Sequence, residues 1–347
     1  MSLQILLALL QIGTAGGSAA TTARALHTWN STGVTLDTGR VAAADSIGDS
    51  ARAGDSSAAT RLPDSLLGRS GKLRARFILA MDHSLVLPVL RHFFGDTAAS
   101  QPGIYSIADS LLGGSSFSFI TLLPFSSKSR GRVGPYRVGW WPAERRHLVR
   151  SAAYENPEGF IRVTADNEDT PVSEHFRLRD FLTHDQPDVW PKYIVLHESL
   201  VDKLELIIDD LAAHGHPNAH LVVMSGFRTP AYNALGVGPR GGRARDSRHE
   251  FGDAADIYVD DDGDGMMDDL NGDGRIDSRD ARVLLASVDR VEAAHPELVG
   301  GAGVYRGTKA HGPFLHIDVR GEAVRWAVVE PRRGWARPKR PRPAASR

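Results

Sequence analysis

The chain has 347 residues, with 41 Lys and Arg against 42 Asp and Glu and a net charge of −1, so overall charge draws it neither to nucleic acid nor to an anionic membrane. It has no cysteine, which excludes disulfides, thiolate metal sites and a cysteine nucleophile and leaves any transition metal to histidines and acids. The length suits one or two compact domains with tails.

The apolar run Ile5 to Leu10, followed by small residues and by Ala23-Arg24-Ala25, predicts a secretory signal over residues 1–25. The run is shorter than the roughly 20 apolar residues that span a bilayer. No stable membrane span is therefore expected after cleavage, and the mature chain is expected to be secreted or periplasmic and monomeric. Residues 26–70, rich in Ala, Ser, Thr, Gly and Asp, predict a disordered linker. At the other end, 331–347 alternates Arg, Lys and Pro and predicts a basic disordered tail.

Residues 71–165 hold short apolar runs, Phe117 to Leu123 and Tyr136 to Trp141 among them, broken by Gly and Pro. These predict a small β-rich domain whose role the sequence does not reveal. Its Trp140-Trp141 pair either stacks on sugar rings or belongs to the core.

Residues 172–327 differ. Ser173 is positioned to cap a helix, and Leu200, Leu204, Ile207, Ile208 and Leu211 form a helical stripe with Gly215 as its stop. Leu221 to Met224 then reads as a short buried strand ending at Ser225-Gly226. Helices and strands interleave, so the fold class is α+β.

Ser247 to Val259 reads as a turn feeding a strand, in which Ala255, Ile257 and Val259 alternate with Asp256 and Tyr258. If the apolar set faces the core, Asp256 faces a cleft. Gly252, free to take positive φ, lets the chain bend so that His249 and Asp256 converge. Phe314 to Val319 alternates in the same way and leaves His316 and Asp318 on the open face. His249, Asp256 and His316 supply two imidazoles and one carboxylate, which leaves a tetrahedral zinc one position for water, as in catalytic sites. Such a zinc would activate the water and polarise a peptide carbonyl.

The pattern S-x-H-x-x-G-x-A-x-D from Ser247 to Asp256, followed by the H-x-D strand of His316, resembles the M15 family of zinc D-Ala-D-Ala carboxypeptidases, and its M15A branch in particular. Ser225-Gly226-Phe227-Arg228-Thr229-Pro230-Ala231-Tyr232-Asn233 and the segment Ser173 to Phe181 are similar to further motifs of that branch. The resemblance covers about 172–326. It implies an M15/hedgehog-like domain with a small antiparallel sheet and flanking helices, Zn2+ on His249, Asp256 and His316, and Arg228 binding a substrate carboxylate or the developing oxyanion. Many relatives carry a Glu base three residues before the last zinc histidine, where this chain has Pro313. His311 is the first candidate to move the proton instead, and Asp318 the second, with orientation of His316 as its other role.

After the Asp256 strand comes an acidic insertion, residues 260–280. With Asp269 in first place, Asn271, Asp273, Arg275, Asp277 and Asp280 fall at positions three, five, seven, nine and twelve of a Ca2+ loop, with Gly274 at the sharp turn. Asp stands at twelve instead of Glu, as in the dockerin-like loops that this one resembles. Asp260, Asp262, Asp264 and Asp268 repeat the start of the spacing, and a helix with Leu284, Leu285, Val288 and Val291 on one side is expected next.

Together these expectations describe a metallopeptidase that hydrolyses D-amino-acid-containing bonds of peptidoglycan, as carboxypeptidase or endopeptidase. The other readings are a noncatalytic peptidoglycan-binding protein that keeps the zinc fold and a peptidase acting on ordinary L-peptides.

Overall fold

The computed structural model describes residues 66–79, 91, 94–96, 98, 101–107, 116–146, 151–238, 242–308 and 311–326, with backbone alone at 34–35, 79, 146 and 337–338. The expected signal peptide, nearly all of the linker and nearly all of the basic tail lie outside the described residues. The architecture is mixed α+β. No helix among the described residues is long and apolar enough to cross a membrane.

Two compact units interleave along the chain: Met1–Gly139 with Asn156–Arg179 and Gln186–Glu198, and Trp140–Glu155 with Asp180–Asp185 and Ser199–Arg347.

The first unit is built on strands β1 (Ala75–Leu79), β2 (Ile104–Ile107), β3 (Phe117–Pro124), β4 (Gly159–Val163) and β5 (Lys192–Ile194). β3 is central, parallel to β1 and antiparallel to β2 and β4, and β5 extends the sheet from β4. Its continuous apolar run is buried from Phe117 to Leu122, as expected of a strand covered on both faces. The buried hydroxyls within it are satisfied, Ser118 against Ser106 at 2.9 Å and Thr121 onto the Gly103 carbonyl at 3.3 Å. Leu66, from the end of the expected linker, is buried in the cluster of Ile78, Tyr105, Phe117 and Phe119. Ser173 does cap a turn, its Oγ accepting from the Phe176 amide at 3.3 Å. Only the short 3-10 turn Leu178–Phe181 follows.

The long helix begins instead at Glu198. In the second unit α1 (Glu198–Ala213) buries the predicted stripe, from Leu200 to Leu211, and Gly215 ends the segment at φ 101°. There follow β6 (Leu221–Ser225), α2 (Pro230–Leu235), β7 (Ala254–Val259), α3 (Ser278–Ala294), β8 (Gly301–Tyr305), β9 (Phe314–Asp318) and β10 (Val324–Trp326). The sheet order is β10-β8-β9-β7-β6, antiparallel except for the β8/β10 pair. Ala255, Ile257, Val259, Leu315 and Ile317 are fully buried, and α3, with Leu284, Val288 and Val291 buried, packs on β8 and β9. Trp141 also belongs to this core: it is wholly buried and its Nε1 donates to the Glu250 carbonyl at 2.8 Å, whereas Trp140 is half exposed.

One buried cation ties the helices to the end of β9. Lys203 of α1 has no exposed surface, and its Nζ donates to Glu292 of α3 at 2.6 Å, to the Leu298 carbonyl at 3.0 Å and to the Asp318 carbonyl at 2.9 Å. Burial pulls its pKa down, against the pull of Glu292. Removing one partner of such a pair leaves an uncompensated buried charge. Lys203→Ala is expected to cost about 3 kcal/mol of unfolding free energy, read from urea denaturation; a loss under about 0.5 kcal/mol would show that the network carries no stability.

Candidate metal centre

The sheet register places the site. Ser225, Asp256, His316, Gly303 and Trp326 are successive partners across five strands, forming one transverse row. Alternation then puts their side chains on the same face, opposite the helices. Asp256 and His316 are direct neighbours in that row, and the third member arrives from a turn.

That turn is the 3-10 segment Arg248–Phe251, closed by a capping box between Ser247 and Glu250 and ended by Gly252 at φ 72°. The expected bend at Gly252 is thus present, and only a residue tolerant of the left-handed region sits there without strain. His249 Nδ1 donates to the Gly226 carbonyl at 2.7 Å, which fixes the tautomer and leaves the Nε2 lone pair free. Its carbonyl accepts the Arg228 amide at 3.0 Å.

His249 Nε2, Asp256 Oδ1 and His316 Nδ1 stand 3.2, 3.1 and 2.9 Å apart, pairwise. Zinc ligands at about 2.0–2.2 Å in tetrahedral array lie roughly 3.3 Å from one another, so the three donor atoms fit one ion with little movement. All three residues are buried and form a possible metal-binding triad. Burial lowers the His249 pKa. It also opposes the charged forms of the other two, yet the imidazoles and Arg228 hold Asp256 well below the usual carboxylate range, and Asp256 and Asp318 raise His316. The set offers one fixed anion and one neutral imidazole, and a cation would displace the proton that His316 attracts.

The supporting residues follow from local sequence. Arg228 donates from Nη2 to Asp256 Oδ2 and from Nε to Ser225 Oγ at 2.9 Å. Gly226 leaves room for Phe181, whose Cα would lie 2.7 Å from a Cβ there. Thr229 caps α2 by accepting the Tyr232 amide, Pro230 opens the helix, and Asn233 donates to Glu250 Oε1 at 2.6 Å. Burial, chiefly, pushes Glu250 up to about 7. Asp318 has no exposed surface. Its carboxylate accepts the Gly301 amide at 2.8 Å, pairs with Arg320 and lies 3.5 Å from His316 Nε2, the geometry of a group that orients a ligand.

The triad opens into a cleft of about 600 Å3 lined by Arg228, His311, Tyr305, Phe314 and Trp326, among others. His311 Nδ1 donates to the Gly312 carbonyl at 2.8 Å, and its ring meets Phe314 edge-on at 5.1 Å. No hydrogen bond joins it to the triad among the described residues. Tyr305 and Trp326 are residues that the sequence did not point to. Tyr305 stacks on Phe314 at 4.8 Å and 3°. Trp326 stands edge-on to His316 at 5.3 Å, over Gly301 and Gly303, where a Cβ would come within 2.6 and 2.9 Å of its ring. Only β8's glycines signal this in sequence, and they do so only once the register is known.

The acidic insertion is a tandem repeat of nine residues, 260–268 and 269–277. The amides of Asp264, Gly265 and Met266 donate to Asp260, Asp262 and Asp264, and nine positions on, those of Asp273, Gly274 and Arg275 donate to Asp269, Asn271 and Asp273. Gly263, Gly265, Gly272 and Gly274 all take positive φ. Asp260, Asp262 and Asp264 bring carboxylate oxygens within 4.8 Å of one another, a second group able to hold a cation. Asp268 donates its amide to Val259 and accepts that of Asp261 at 2.7 Å. Asp280 receives the amides of Asn271 and Asp277, and Asp277 caps α3.

Comparison of the chain with protein-family models, with curated proteins and with solved structures finds no match.

Proposed function

We propose that this chain is an exported zinc peptidase of the M15 type, acting on D-amino-acid-containing peptide bonds of peptidoglycan. The observation that carries the proposal is the convergence of His249, Asp256 and His316 at 2.9–3.2 Å on the wall of a cleft. The likeness of Ser225 to Asn233 and of Ser247 to Asp256 to M15 motifs supports it, since each of these segments has a part in building that convergence.

Zinc held there supplies Lewis acidity. The chain's own residues do the rest. Arg228, fixed by Asp256 and Ser225, keeps a cationic edge toward the cleft, where it donates to the carbonyl oxygen as negative charge develops. His311 has one nitrogen committed to Gly312 and the other free to accept a proton from water and deliver it to the leaving amine. Asp318 keeps His316 oriented and, being closed off from the cleft, leaves proton transfer to His311.

The noncatalytic reading draws on a single feature: the described carboxylates lining the cleft are Asp246 and Asp256, both in ion pairs. Digestion of purified peptidoglycan with the zinc-loaded protein, with fragments weighed by mass spectrometry, separates the two and identifies the bond cut. The expected result is release of D-amino acids or opened cross-links, lost in His249→Ala together with the metal. His311→Ala should keep its zinc and lose activity by about a hundredfold or more. An unchanged digest with the wild type would favour the binding protein.

We further propose that the tandem loop binds calcium. Burial first, and beside it the neighbouring carboxylates of the loop, raise Asp268 and Asp280, and a cation would relieve that mutual repulsion. With zinc kept saturated, calcium at about a hundred times its Kd should raise the Tm by roughly 5 °C. Asp260→Asn together with Asp269→Asn should abolish the shift, and a wild-type Tm indifferent to calcium would refute the assignment.

A further inference from the structure

Six arginines line the cleft, Arg228, Arg243, Arg245, Arg248, Arg306 and Arg320, and four of them differ in what holds the guanidinium. Arg228, Arg248 and Arg320 are each paired with a carboxylate, Asp256, Asp253 and Asp318 respectively. Arg243 has no carboxylate partner among the described residues. Its guanidinium lies over the Tyr232 ring, 4.1 Å from the centroid, and Nη1 donates to the Tyr232 carbonyl at 2.6 Å. Its side chain runs across Gly236, where a Cβ would come within 2.4 Å of its Cδ. Its backbone is tied on both sides, the amide donating to the Gly236 carbonyl at 2.9 Å and the carbonyl accepting from Gly238 at 3.2 Å.

This arginine is half-buried and held in one place by a ring, a carbonyl and a missing side chain, with no carboxylate paired to it among the described residues. Partial burial costs a cation hydration, and a carboxylate offering two parallel acceptors restores it. Because ring and carbonyl already restrict the side chain, little ordering remains to oppose binding. Its Nε and Nη2 hydrogens carry no bond to described residues.

We infer that Arg243 is an anion subsite of the cleft, taking a carboxylate of the bound peptide. The substrate class rests on the peptidase reading above; the subsite chemistry does not. A carboxylate anchored in the cleft that the triad also lines selects peptides that carry either a free chain end or an acidic side chain.

The test is an NMR titration of the full-length zinc-loaded protein with three probes that have no bond between two amino acids. These are N-acetyl-D-alanine, its amide, and N-acetyl-D-isoglutamine, which keeps only a side-chain carboxylate. The wild type is expected to bind one of the acids about tenfold more tightly than the amide, and which acid it is identifies the source of the carboxylate. Arg243→Gln should lose that preference with zinc content unchanged. Arg243→Lys, which keeps the charge but not the planar fork, should lose most of it. A wild type that does not distinguish acids from amide, or a preference that survives in both variants, would overturn the assignment. Failure of the peptidase reading shows separately, as a protein that discriminates among these probes but leaves wall peptides intact.

Discussion

A buried carboxylate governs this molecule. Asp256 sits on an interior strand with almost no access to water, and an ion taken from water at such a place costs several kcal/mol unless its oxygens are matched. Asp256 Oδ2 is matched by Arg228 and Oδ1 faces His249 and His316. Everything that brings those partners into reach follows from this requirement: the left-handed Gly252 that returns His249, the Ser225 hydroxyl that aims Arg228, and the register that sets His316 opposite Asp256.

The support extends outward as alternating charge. Behind His316 stands Asp318, behind Asp318 stands Arg320, and the main chain of Asp318 rests on Lys203, which is itself paired with Glu292 and through it with Arg325. Lone buried charges would be costly; arranged in sequence, each compensates the next. The two imidazoles consequently behave differently. Burial lowers His249, whose nearest acid it shares with Arg228, while His316, between two carboxylates, is raised.

Much of this was legible in the sequence, and the reason is periodicity. The alternation around Asp256 and His316 identified two strands and which side chains share a face, and the stripe from Leu200 to Leu211 identified α1. What was not legible depends on register and on long-range packing. Nothing local marks Trp326 as a neighbour of His316, because that contact exists only through the β8/β9 and β8/β10 pairings and the glycines at 301 and 303. Lys203 reads as one more polar residue on a helix until Glu292 and the end of β9 close over it. Trp141, adjacent in sequence to the first unit's strands, gives its indole to a carbonyl in the Glu250 turn.

The tandem acidic loop is connected to the same requirement. It leaves the end of β7, bonded back to Val259 by the Asp268 amide, and ends at Asp277, which caps α3. It thus joins the strand that carries Asp256 to the helix that covers the sheet. Its first repeat also reaches the segment after His311: a Cβ on Gly312 would lie 3.2 Å from Met266 Cε and 3.3 Å from the Met267 amide nitrogen. Gly312 follows His311 and accepts its Nδ1 hydrogen. A cation that stiffened Asp260, Asp262 and Asp264 would therefore act at two points, on the strand that carries Asp256 and on the Gly312 segment that His311 bonds to. A Cβ at 312 would be a tight contact that Met266 or the Met267 backbone would have to yield to by a few tenths of an ångström, so this coupling is tuned by a residue with no chemistry of its own.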